Sequence, residues 1–179
     1  GVFTKNKCAA PSVSLTKSHL AKSTLKAVII SSGNANAYTG EQGHQDTEKM
    51  IAITASKLGV LPTEVGVAST GVIGVPLPME KLEAGITQLL ENPKAQKGHD
   101  AAEAILTVDL VTKEVFKEAE NNGETLQVAG ISKGSGMIAP NMATTLTYLV
   151  TDAALDSEDL QNSLQAAIDL SLNQVSVDT

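Results

Sequence analysis

Apolar positions group along this chain into short unbroken runs and into helically spaced series, and the two kinds alternate. The stretch LKAVIISS (25–32) is short and mostly apolar, which predicts a buried strand, and EVGVAST (64–70) predicts a second one. Between them, GNANAYTGEQG (33–43) is a loop of small residues. In DTEKMIAITASKL (46–58), Ile51, Ala55 and Leu58 repeat at helical spacing, and Gly59 stops the series. GVIGVPLP (71–78) is a Gly/Pro turn, followed by a helix over 79–90 with Leu82, Ile86 and Leu89 on one face.

A further helix is predicted over 99–108. TKEVFKEAENNGETLQVAGIS (112–132) has strand-like runs on both sides of Asn122-Gly123, a hairpin signal. TTLTYLVTDA (144–153) predicts the last strand, and Ser157 is placed as the cap of a helix carrying Leu160, Leu164, Ile168 and Leu172. Strands and helices alternate first and a hairpin follows. That order predicts a layered α/β fold with a mixed sheet.

Composition narrows the function classes. With 179 residues, the chain is one domain or two small ones, long enough to bury a core without disulfides. Aromatics are only 2%, so that core has to be aliphatic. A net charge of −7 and the lack of aromatic platforms argue against nucleic acid as a partner. No apolar run approaches the roughly 20 residues that span a bilayer. Cys8 is the one cysteine, so an internal disulfide is excluded; it is expected as a buried thiol in a reducing compartment. The chain starts GVFTKNKCAAP, without an initiator Met or a signal-type apolar stretch, and stops at NQVSVDT; both ends read as cuts in a longer protein.

Several familiar chemistries find no support. His19, His44 and His99 stand far apart in polar surroundings, with no ligand-spaced partner, and are expected at the surface without a metal. There is no phosphate-binding Walker loop, no G-x-G-x-x-G after a strand and no G-x-S-x-G elbow. Hydroxyls beside glycines remain. In STGVIG (69–74), Gly71 lets backbone N–H groups face an incoming ligand, so Thr70-Gly71 can hold a developing oxyanion or be a plain turn. In KGSGMIAPNMATTLTYLV (133–150), a glycine-rich loop runs straight into a β-branched strand. Lys133 with Gly134 and Gly136 can cradle an anion or simply flex. Thr144 is a sheet threonine or a nucleophile; a cut before it would leave it a free α-amine, of pKa about 7.7–8.0, as a general base.

SGNANAYTGEQG, VASTGVIGVPLPMEKLEAGI and KGSGMIAPNMATTL, in this order and spacing, together resemble the ornithine acetyltransferase (glutamate N-acetyltransferase) family of arginine biosynthesis. The resemblance runs through essentially the whole chain, and few families join K-G-S-G-M-I to P-N-M-A-T. It implies self-cleavage between Ala143 and Thr144, so that residues 1–143 are an α-chain region and 144–179 the start of a β-chain region. Thr144 would then take acetyl from N-acetylornithine as an ester and pass it to glutamate. By matching positions, the resemblance assigns Thr70 and Gly71 to the oxyanion and Thr107, Lys133 and Thr144 to substrate binding. A lysine suits the carboxylate that both substrates carry.

The same resemblance implies a layered α/β sandwich like that of self-processing aminopeptidases, no cofactor, an α2β2 heterotetramer and a cytoplasmic enzyme. It leaves open whether acetyl-CoA also serves as a donor, which separates bifunctional from monofunctional members. Two departures stand out. Where the family usually shows Thr-Thr-Asp-Thr followed by Pro-Lys, this chain has TVDLVTK (107–113), which keeps Thr107, Asp109 and Lys113. The family's β chain also runs past Thr179 and supplies further substrate contacts. Two rivals remain: a relative that binds amino acids without processing itself, and a self-processing aminopeptidase of similar fold.

Overall fold

A computed structural model describes residues 1–91, 97–121, 123–142 and 144–178. The chain divides into two compact units, one of residues 5–96 and one of residues 1–4 with 97–179. The α/β class predicted from the alternation is observed. Parallel and antiparallel pairing occur in separate sheets, one in each unit.

In the 5–96 unit, helix α1 (Pro11–Leu20) precedes strand β1 (Ala27–Asn34), helix α2 (Gly40–Leu58), strand β2 (Val65–Val72) and helix α3 (Met79–Glu91). β1 and β2 pair in parallel from Ala27↔Val65 to Asn34↔Val72, with α2 as the connection that a parallel pair requires. The core is aliphatic, as the composition demands: Ile29, Met50, Ile51, Ala55, Val65, Val67, Leu77 and Ile86. Gly59 ends α2 in the left-handed conformation, its N–H bonded to the Ala55 carbonyl, which fulfils its predicted role as a stop. On α3 it is Leu90, not the predicted Leu89, that packs on the core, since it lies one turn beyond Ile86; Leu89 faces solvent.

Helix α1 was not foreseen from the sequence, and it contributes polar rather than apolar side chains. The Thr16 hydroxyl donates to the Val67 carbonyl (2.8 Å) and accepts from the Val67 N–H (2.8 Å). The His19 ring nitrogen Nδ1 lies 2.8 Å from the Val65 carbonyl oxygen. α1 thereby satisfies backbone groups of β2 that face away from β1. His19 is consequently buried, not at the surface as its neighbours in sequence suggested.

In the second unit, helix α4 (Gly98–Ala104) precedes strands β3 (Lys113–Asn121), β4 (Glu124–Lys133) and β5 (Leu146–Thr151) and helix α5 (Ser157–Asp169). The sheet is antiparallel in the order β3-β4-β5, so the predicted hairpin is present, closing on Asn121↔Glu124; Asn122 lies outside the described residues. α5 begins at Ser157, but its cap is Asp156, whose carboxylate accepts from the N–H groups of Glu158 (2.9 Å) and Asp159 (2.8 Å). A carboxylate at a helix N-terminus also faces the positive end of the helix dipole, which favours Asp156 over the neighbouring hydroxyl.

Candidate functional site

The site grows from the turn-back between β4 and β5. Lys133 ends β4 opposite Leu146, which starts β5, so residues 134–145 must reverse the chain within a short span. Gly134 opens the reversal at φ +141, and a Cβ there would lie 2.9 Å from Thr145 Cγ2 and 3.5 Å from the Thr144 carbonyl oxygen. Only glycine fits, and the close approach sets Lys133-Gly134 directly against Thr144-Thr145. Four non-glycine residues then take positive φ: Met137 (55°), Asn141 (64°), Met142 (63°) and Thr144 (57°). For β-branched Thr144 this is a strained conformation.

Two anchors hold that loop. Ile138 and Val177 exchange backbone hydrogen bonds of 2.9 and 2.8 Å, and the Asn141 N–H donates to Asn173 Oδ1 at 2.8 Å. Thr144 is exposed, and its hydroxyl donates to the Met137 carbonyl at 2.6 Å, with the Gly136 carbonyl 3.3 Å away. Ala143, the other half of the predicted cleavage bond, lies outside the described residues.

Beside the loop, Lys133 is buried, and its ammonium donates to Thr107 Oγ1 at 2.9 Å. The predicted substrate residues Thr107, Lys133 and Thr144 thus belong to one unit, Thr107 in direct contact with Lys133. Under them lies Asp109, whose side chain is wholly enclosed. Its Oδ1 accepts from Lys113 Nζ (2.6 Å) and from the Gly134 N–H (2.7 Å). Its Oδ2 has no hydrogen-bond partner among the described residues and lies 3.9 Å from Lys133 Nζ.

The charges adjust accordingly. Burial raises the Asp109 carboxyl, but the Lys113 hydrogen bond, the Gly134 N–H and the charges of Lys113 and Lys133 outweigh it, and the net shift is downward. Burial, aided by Lys113, takes Lys133 below the ordinary lysine value despite the opposing pull of Asp109. In the sequence, the signal for Asp109 is its survival between Thr107 and Lys113 in a segment that otherwise departs from the family pattern.

Thr70 and Gly71 belong to the 5–96 unit. They lie within β2 rather than on the turn after it, opposite Ser32 and Gly33. Gly71 has φ +129, and a Cβ on it would fall 2.2 Å from the Gly33 carbonyl oxygen and 2.3 Å from the Gly33 carbonyl carbon. The close approach excludes any side chain at position 71. Thr70 is buried.

Two further expectations concern Cys8 and His99. Cys8 is exposed, against the expectation of a buried thiol, in a segment without regular structure near the start of the chain. His99 is exposed as predicted and is raised by its hydrogen bond to Glu114 (2.7 Å) and by the negative charges around it. Among the described residues no three His, Cys, Asp or Glu side chains gather as a metal site, and no helix is long and apolar enough to cross a membrane.

Comparison with known proteins adds three findings. The family model described as the ArgJ family matches residues 1–179. Arginine biosynthesis bifunctional proteins ArgJ from Symbiobacterium thermophilum and Bacillus cereus are 47% and 46% identical over 178 residues, covering 99% of this chain and 44% of theirs. The chain therefore spans less than half the length of these curated relatives. The crystal structure of the bifunctional protein ArgJ from Bacillus halodurans superposes with a TM-score of 0.71 at 41% identity, over 80% of this chain and 75% of that one. Ornithine acetyltransferase from Mycobacterium tuberculosis, crystallised with ornithine, gives 0.61 at 30% identity, over 88% and 74%.

Proposed function

Because the chain belongs to the ArgJ family, we propose that it is part of a glutamate N-acetyltransferase of arginine biosynthesis that cuts itself between Ala143 and Thr144. In the cut, the Thr144 hydroxyl oxygen attacks the preceding carbonyl, the C–N bond breaks, and the nitrogen leaves as the α-amine of a new chain. Water hydrolyses the resulting ester and frees the hydroxyl. That amine then serves as the base for the hydroxyl beside it, which takes acetyl from N-acetylornithine and passes it to glutamate. Residues 1–143 and 144–179 are then pieces of an α and a β chain, assembled as α2β2.

The observation that carries this reading is the backbone of Thr144. An exposed β-branched residue held at φ +57 is strained, and φ is the torsion beside the proposed scissile bond. Cutting that bond removes the constraint on φ. Lys133, buried within hydrogen-bonding distance of Thr107 and backed against the Thr144 segment, supplies the cation that an amino-acid carboxylate needs. The ornithine bound to the relative from M. tuberculosis supports a substrate of this class. Thr70 and Gly71 are proposed as the oxyanion donors, each contribution of this kind being worth about 3–4 kcal/mol. The name "bifunctional" on the curated relatives supports a second acetyl donor, for which we propose acetyl-CoA.

The intact protein carrying this chain is expected to yield two bands, with threonine at the new N-terminus, and parallel-line kinetics for acetyl exchange between ornithine and glutamate. Thr144→Ala should abolish both cleavage and transfer. Normal turnover in that variant would sink the proposal, and hydrolysis of peptide amides without acetyl transfer would favour the aminopeptidase rival.

A further inference from the structure

Resting on that reading, we propose that Asp109 is a positioning residue for Lys133: its enclosed carboxylate keeps the lysine ammonium in place and charged, ready for a substrate carboxylate. Lys133 is 5% exposed, so water does little to stabilise its charge. Thr107 offers it a neutral acceptor only, and Lys113 is a like charge. The opposing charge is Asp109, with Oδ2 buried, free of hydrogen bonds among the described residues and 3.9 Å from Nζ.

Several acidic groups on the elements packed against β4 have partners of their own, Glu118 accepting from Gln127 (2.8 Å) and Glu120 from Thr125 (2.7 Å). On α4 and β3, His99 joins Glu114 (2.7 Å) and Glu103 (3.7 Å), while Asp100 pairs with Lys97 (2.7 Å). On β5, burial pushes the Tyr148 hydroxyl up to about 12, so it stays neutral. Asp109 also fixes where the lysine begins. Its Oδ1 holds the N–H of Gly134, the residue after Lys133, at 2.7 Å, so one carboxylate sets both the backbone and the charge of the substrate-facing residue.

Asp109→Asn keeps the shape and an acceptor for the Gly134 N–H while removing the charge. In the intact protein, the pH at which KM for N-acetylornithine starts to rise should move down by one unit or more, with kcat at lower pH changed less than threefold. A second readout needs no activity: the pH dependence of acylation of the Lys133 amine by acetic anhydride, followed by peptide mass spectrometry. At a fixed pH below the transition, Asp109→Asn should label about tenfold faster, since one unit is tenfold in neutral amine. Lys113→Met, which removes a like charge, should label more slowly than wild type and serves if the first variant fails to fold. Labelling profiles unmoved in the folded variants overturn the proposal, as does an unmoved KM profile with kcat and KM impaired together. A wild-type protein that transfers no acetyl defeats the functional reading instead, and the labelling still decides the role of Asp109.

Discussion

Gly33 and Gly71 sit opposite each other in the β1–β2 register with similar φ, +121 and +129, yet their surroundings differ. An added Cβ meets nothing within 4 Å at Gly33, whereas at Gly71 it falls 2.2 Å from the Gly33 carbonyl oxygen, 2.3 Å from its carbon and 2.8 Å from the Asn34 nitrogen. Alanine at either position pays the left-handed penalty, about 1–2 kcal/mol. At Gly71 every obstructing atom is backbone, so no side chain can swing aside and the two strands must part. Overpacking of that kind adds about 1–3 kcal/mol. The matched pair removes the shared φ term and leaves the clash alone. Because every 1.4 kcal/mol is tenfold, Gly71→Ala should speed the opening of the β1–β2 ladder about 5- to 150-fold relative to Gly33→Ala. Hydrogen–deuterium exchange of peptides covering 27–34 and 65–72 in the intact protein reads this directly. Exchange in the two variants within threefold of each other would refute the reasoning.

Three further outcomes are expected. Thr16→Val leaves the buried N–H and C=O of Val67 without their partner and should cost about 1–3 kcal/mol, seen as a lower urea midpoint that Thr16→Ser restores. Asp109 has its pKa lowered by folding, so the unfolded chain takes up that proton first as pH falls. Its stabilisation is complete above the ordinary aspartate value of 3.8 and drains away below it, and the gap in stability between wild type and Asp109→Asn should close on acidification. A cut between Ala143 and Thr144 leaves β5 hydrogen-bonded to β4 from Val128↔Thr151 to Lys133↔Leu146, so the two pieces should co-elute in native buffer and separate only in denaturant.

How far the sequence could be read depended on what each element buries. Where the buried face is apolar, as at Ile51 and Ala55 on α2 or Ile86 on α3, periodicity located the helix and its core side. α1 escaped because its buried residues are Pro11, Ser12, Thr16 and His19, which serve the backbone of β2 and leave no hydrophobic stripe. The first turns of α2 look like loop in the sequence for the same reason. There Asn36, fully buried at φ +52, donates to the Gly43 carbonyl (2.9 Å) and to Thr47 Oγ1 (2.8 Å). Thr39 donates to Asn36 Oδ1 at 2.7 Å and completes a polar network at the helix start. Of the candidate site, the motifs single out Thr107, Lys133 and Thr144. Asp109 stayed without a role because its importance lies in burial and in a contact with Gly134, 25 residues away.

The junction between Lys133 and Leu146 joins these strands of reasoning. Its sequence is loose, with Gly134 and Gly136 before Pro140, but its structure is tied down by the β4–β5 ladder behind it and by contacts to Asn173 and Val177. With those anchors in place, the left-handed residues Met137, Asn141, Met142 and Thr144 cannot relax by sliding the loop. At about 1–2 kcal/mol each, they store several kcal/mol, somewhat less at Asn141, where the side chain tolerates the conformation. A cut before Thr144 frees the φ of Thr144 alone and leaves the other three in place. The gain, about 1–2 kcal/mol, is worth roughly a factor of ten and acts only at that bond. A stiff strand directly after the loop therefore serves the proposed cleavage, because strain can be concentrated at one peptide bond only if the chain beyond it does not yield.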